Sequence, residues 1–343
     1  MAEKPGSDVR YVGAAKLQSE ARQHQKAGVA QRESSQVILA PDDVAGAYDA
    51  ARILLTTLGG KPRPITRDDL LAFQASAKLL GKRFKGGVTA KQVIDLSIPA
   101  ARRRAEQQIH TGFPVTSTGG RVKFQTNAGP DSHSSHHMVI IEFMNFDACV
   151  VSPVAPKDIV KQMLTGPIKI DCDCEDWRYR LRYIATKGKY AAGPWFESGF
   201  PKITNPLLHG VGCKHVLRIA KLIDSSPTFK MHAIGLLTRA RQHVERKVAN
   251  THVKDMKKFA DALKKESSRQ KSLKTTEEKR AQRQAQPSYQ RQVAARKAMR
   301  ETAAKKPIAQ ERVPDAKFVQ MLMHAGYSQA AAQAALAAAK SAS

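Results

Sequence analysis

Long apolar runs are missing. Nowhere in the 343 residues does a stretch approach the roughly 18 apolar residues that a membrane-spanning helix needs. The opening residues MAEKPGSDVRYVGAAKLQ carry no apolar core of a secretion signal. The expectation is a chain in a soluble compartment with no membrane partner. Cysteine is scarce, at positions 149, 172, 174 and 213, too few for a disulfide scaffold at this length. Free thiols or thiolate ligands are expected instead. Acidic residues are outnumbered, with 30 Asp and Glu against 57 Lys and Arg and a formal charge of +27. That excess is beyond what solubility requires and points to a polyanionic partner, nucleic acid ahead of a lipid surface. A phosphate-cradling P-loop, a nucleophile elbow and a His-Glu-x-x-His helix are all absent, so the chain reads as a binding module and not as an enzyme.

The composition divides the chain. Residues 1–36 are polar and basic without an apolar stripe and read as a disordered arm. Residues 37–112 read as helical: PDDVAGAYDAARILLTTL has Val44, Ala47, Ala51 and Leu54 at spacings of three and four. Leu70, Leu71, Phe73, Leu79 and Leu80 follow on a second helix, and a third is interrupted near Pro99. Residues 113–226 read as an α+β domain. Its strands are expected at 121–126, 137–144 and 147–152, with a short helix at 156–164 and another at 213–223. Residues 227–312 read as a long basic helix fading into a tail. Between 245 and 312 there are 20 Lys and Arg and 8 Asp and Glu, a charge that suits either a solvated face or a polyanion. Residues 313–343 read as a small helical hairpin turning at Gly326, with Phe318, Leu322, Tyr327 and Leu336 as its core. That hairpin resembles a ubiquitin-associated module. The fold class is α+β, with N-terminal helices and a small antiparallel sheet.

Two residue pairs carry the chemistry. Cys172-Asp-Cys174 and Cys213-Lys-His215 supply the soft and borderline donors that a tetrahedral zinc ion takes in closed structural sites. On a strand, residues i and i+2 share a face at about 6.8 Å, so a modest kink aims both thiolates at one ion. Cys213 sits where a loop turns into a helix, preceded by Gly210 and Gly212. His209 rivals His215 as the fourth ligand, and small buried hydrophobes are the plain alternative for the cysteines. Cys149 reads as core, and His136 and His137 as structural or surface residues.

A CxC followed by a CxH at the mouth of a helix resembles the SWIM-type zinc finger over about residues 168–223. The resemblance places Cys172, Cys174, Cys213 and His215 at its four ligand positions. It implies a zinc-bound module engaged in DNA or protein contacts. The 38 residues between Cys174 and Cys213 exceed a minimal finger and imply an extra hairpin. A wider run, about 95–240, is similar to proteins of tailed bacteriophages, which implies a phage virion protein or one acting in the host cytoplasm.

In WRYRLRY, Arg178, Arg180 and Arg182 alternate with Trp177, Tyr179, Leu181 and Tyr183. This period of two suggests a strand with one packed face and one row of guanidinium groups. Together with Lys187 and Lys189, that row is the candidate nucleic-acid surface, because guanidinium forks suit phosphate. The competing explanation is internal pairing with Asp171, Asp173, Glu175 and Asp176. Tyr190, Trp195, Phe196 and Phe200 in the insert either stack on bases or pin the loop. The expected activity is nonspecific binding of nucleic acid, DNA ahead of RNA, or cementing of acidic virion subunits.

Overall fold

The computed structural model describes residues 11–33, 55–84, 86–242, 248–267, 272–305 and 315–341. Met1–Lys279 form one unit and Arg280–Ser343 a second. The boundaries expected at 36, 112 and 226 therefore do not separate independent bodies.

An antiparallel sheet organises the first unit. Its strands are β3 (Gly112–Thr118), β4 (Arg121–Asn127), β5 (His136–Phe143), β6 (Ile168–Cys172) and β7 (Ala249–Asn250), in the order β6-β5-β4-β3-β7. Strands β4 and β5 are where the Val, Ile and Phe runs placed them. Gly119, at φ 56°, supplies the positive dihedral of the two-residue turn between β3 and β4. The β5 run Met-Val-Ile-Ile is apolar on both parities because both sheet faces are covered. Val139, Ile141 and Phe143 join the main core, while Met138 and Ile140 join a second cluster on the other face.

The main face is covered by helices α3 (Ala90–Asp95), α4 (Pro99–Gln108), α6 (Pro156–Thr165), α8 (Lys214–Ser225) and α9 (Pro227–Gln242). In α8, the spacing of Val216, Leu217, Ile219, Ala220 and Ile223 buries one whole side. Helix α2 (Arg67–Arg83) opens with a capping box of Thr66 and Asp69, and Arg63 grips the Asp69 carboxylate at 2.6 and 2.7 Å. It buries Leu70, Phe73 and Leu80, whereas Leu71 and Leu79, expected inside, are exposed.

Several expectations need correction. Residues 11–33 are not an arm: α1 (Ala14–Glu33) packs Leu17 and Ala21 on the second sheet face, and the Val12 amide donates to Gln125 at 3.0 Å. Two apolar residues at i and i+4 are enough to dock a polar helix when a sheet face awaits it. The helix expected from 42 onward falls mostly outside the described residues, and its end is β1 (Leu55–Thr56), paired with β2 (Arg63–Pro64). The strand expected at 147–152 is helix α5 (Phe146–Val151), which buries Phe146 and Cys149 at i and i+3. Strand β3 was hidden by Pro114, which lies at an irregularity in its pairing with β4.

The long basic helix is broken as well. The chain returns to the sheet as β7, pairing with Thr116 and Ser117 of β3. Helix α10 (Val253–Ser267) then lays Met256 and Ala260 on the second face. Helices α11 (Thr276–Ala285) and α12 (Pro287–Lys305) follow. In the second unit, α13 (Asp315–His324) and α14 (Gln329–Ser341) form the expected hairpin around Gly326, at φ 92°. There the Tyr327 amide donates to Leu322 O at 3.1 Å, and Ala332 is fully buried.

His232 of α9 lies between the rings of Phe229 and Phe259, with Nε2 buried and unpartnered. Burial, with help from Arg239, lowers its pKa to about 4. A depressed histidine contributes stability above the unfolded value near 6.5, and that contribution is lost as pH falls towards 4. His232→Phe is therefore expected to flatten the fall in melting temperature between pH 6.5 and 4. An unchanged profile would show that the ring titrates normally.

Candidate metal centre

Strand β6 ends at Cys172, at the sheet edge opposite β7, and its pairing with β5 sets Cys172 against Val139. The chain then turns, so Cys174 follows two residues on. Cys213 is the N-cap residue of α8 and His215 lies in its first turn. The helix is held against the sheet by its apolar side, which presents these two residues to the edge of β6. The donor atoms of Cys172, Cys174, Cys213 and His215 all lie within 4.8 Å of one another, and all four residues are buried. Ligands of one tetrahedral zinc ion stand about 3.5–4 Å apart, and Cys213 Sγ lies 4.0 Å from His215 Nδ1. His209 is exposed and outside the group.

The donor set fits a metal. All three cysteines are free thiols, and His215 Nε2 is buried with no hydrogen-bond partner. The Trp177 amide donates to Cys174 Sγ at 3.4 Å, which orients and stabilises a thiolate. Burial pushes the Cys172 and Cys174 thiols up. Cys213 suffers the same burial, yet hydrogen bonds from the other two cysteines draw it down. A bound cation is what would let buried thiols lose their protons.

No protein-family model matches this chain, and no curated protein or solved structure is detectably similar to it. The role of each residue rests on its surroundings.

The arginine row does not exist as a strand. Trp177–Leu181 is a π-helical turn that runs into α7 (Arg182–Lys187). In helical geometry Trp177 and Leu181 share the buried side, while Arg178 and Arg182, four apart, share another. There Arg182 meets Asp171 of β6, and Arg178 the Asp173 carbonyl in the turn beyond it. Arg182 is fully buried: Nη2 lies 3.1 Å from Asp171 Oδ1 and donates to Cys172 O at 2.9 Å, and Nη1 donates to Gln25 at 2.6 Å. Arg178 is 5% exposed and donates to Asp173 O at 2.9 Å. Arg180 pairs with Asp176 at 2.7 Å and reaches Thr204 O at 3.1 Å. Internal pairing is the fate of these arginines. Lys187 and Lys189 do remain exposed, the former 5.7 Å from the Tyr183 ring.

The physical cause is a carboxylate on the way into the site. Asp171 is buried, and burial raises its pKa to about 6 despite Arg182 and a 2.7 Å hydrogen bond from Trp177 Nε1. An internal guanidinium is what such a group needs. The insert contains no hairpin. After α7 it runs as loop, touching β6 through the bridge of Ile170 with Ala191. Tyr190 and Phe200 pin it inside, whereas Phe196 is 61% exposed.

Sequence reasoning missed a second group. Asp173, between the two cysteines, accepts from His137 Nδ1 at 2.9 Å and lies 3.3 Å from His24 Nδ1. Their far nitrogens meet hydroxyls, His137 Nε2 with Ser132 at 3.1 Å and His24 Nε2 with Ser134 at 2.9 Å. The His137 and His215 ring centroids are 4.5 Å apart, so the two groups adjoin. His24, assigned to an arm, stands 149 residues from Asp173, and nothing local in the sequence links them. Beside them opens a cavity of about 460 Å³, lined among others by Arg104, Lys214 and Glu175.

Proposed function

We propose that the chain is a zinc-stapled basic accessory protein that binds nucleic acid without reading its sequence. Zinc suits the first group because three thiolates and one imidazole close its coordination and leave no position for a substrate. Its task is to fasten β6 and the long insert to α8.

One observation carries the binding role. Every described side chain from 276 to 299 is exposed, and residues 276–305 hold eight Lys and Arg against three Glu. Helices that are polar all round gain little from packing, and a basic one suits the phosphate backbone. Lys187 and Lys189 add exposed charge at and just beyond the end of α7. A virion-associated role, or one in the host cytoplasm, is part of this reading and rests on the sequence resemblance of residues 95–240 alone.

The test is duplex DNA affinity of the full chain as a function of salt. The expected slope is about one logarithmic unit per phosphate neutralised, unchanged when Cys213→Ser removes a metal ligand at a temperature where the variant is folded. A weaker slope in that variant would move the interface onto the finger. Negligible affinity at physiological salt would sink the nucleic-acid reading and leave an architectural protein that grips acidic virion subunits.

A further inference from the structure

We infer that His24, His137 and Asp173 form a second divalent-metal site beside the cysteine centre, with coordination positions open to the adjoining cavity. Three separate elements deliver the donors: His24 from α1, His137 from β5 and Asp173 from the turn after β6. Their ligand atoms all lie within 4.8 Å of one another. Two imidazoles and a carboxylate are a donor set for a borderline first-row dication, and three protein ligands with room beyond are the pattern of an open site.

The outer contacts are those a ligand set requires. The carboxylate is fixed by the Met138 amide, which donates to Asp173 Oδ1 at 3.1 Å. Each imidazole turns Nδ1 to Asp173 and Nε2 to a serine hydroxyl. A hydroxyl both donates and accepts. With its proton on Nδ1, a ring donates to Asp173 and accepts from serine at Nε2. With an ion, the proton moves to Nε2 and the serine accepts it, so the far-side contacts persist and Nδ1 is free to ligate. Asp173 is 4% exposed, and its carboxylate is held by the two histidines and the Met138 amide. Arg178 reaches its backbone carbonyl and leaves the carboxylate to the histidines.

The cavity supplies the remaining coordination space. At about 460 Å³ it admits water and small ligands, and its wall carries both signs of charge, Arg104 and Lys214 with Asp131, Glu175 and Asp176. A dication here is also favoured by charge. If zinc fills the cysteine centre, three thiolates and Zn²⁺ leave one net negative charge there, and Asp173 adds another next to it.

The experiment is cobalt(II) titration of the full chain, chelator-stripped and reduced, with bound metal counted by elemental analysis and thiolate-to-cobalt absorbance followed separately. The expected result is two equivalents in the parent. His24→Ala, a substitution at a partly exposed helix position, should bind one equivalent with the thiolate band intact. One equivalent in the parent, unchanged in His24→Ala, would overturn the inference while leaving the cysteine centre standing. A Cys213→Ser chain that loses the thiolate band and still binds one equivalent, lost on adding His24→Ala, would uphold the second site even though the first has gone.

Discussion

Cys213→Ser is expected to lower the melting temperature of the first unit more than any other single substitution, and a strong chelator should do the same to the parent. Apparent binding free energies of structural zinc are on the order of 10 kcal/mol, comparable to the whole stability of a typical domain. Here a bound metal would not be the only support. The main core contains Phe124, Val139, Ile141, Phe143 and Phe229, and thiols tolerate burial as small hydrophobes. The expected loss is therefore partial, about 5 kcal/mol, with β6, the insert and the α8 N-terminus opening first. Scanning calorimetry with and without chelator measures it, and hydrogen exchange locates it. Cys149→Ala is the control: Cys149 is equally buried but lies on α5, away from the other three, so its cost should be a cavity of about 1–2 kcal/mol with metal content unchanged. A parent chain whose melting ignores the chelator would leave the four residues as ordinary core.

What was legible in the sequence was local. The CxC and CxH pairs are each three residues long, and the apolar spacing of α8 that carries the second is complete within three turns, so both could be read without knowing the fold. Strands β4 and β5 were readable for a similar reason: Val, Ile and Phe cluster there. The failures are long-range. Nothing in residues 11–33 reveals that a sheet face waits for Leu17 and Ala21, and Ala249–Asn250 is too short to carry a strand signal. The stretch WRYRLRY misled because it satisfies two periods at once. Alternation places the arginines on one face of a strand, yet Trp177 and Leu181 are equally one face of a helix. The buried charge of Asp171 decided between them, and its burial is a property of the sheet edge, not of the neighbouring sequence.

Arg182→Met tests that decision and should cost about 3–5 kcal/mol, the usual penalty for leaving a buried charge without its partner. The side chain is nearly isosteric with the arginine stem, so little packing is lost. What goes is the guanidinium that pairs with Asp171 at 3.1 Å and satisfies the Cys172 carbonyl and Gln25. Asp171, 1% exposed, would keep only the Trp177 indole as a side-chain donor among the described residues. Pairing the change with Asp171→Asn should return a large part of the loss, because an amide is far cheaper to bury than a carboxylate. The double-mutant cycle in urea reads the coupling directly. A phosphate-facing arginine predicts the reverse: Arg182→Met would leave stability almost untouched and reduce the salt slope of DNA binding by about one unit. The two outcomes separate cleanly because a guanidinium that neutralises Asp171 inside the protein has no fork left for a phosphate outside it.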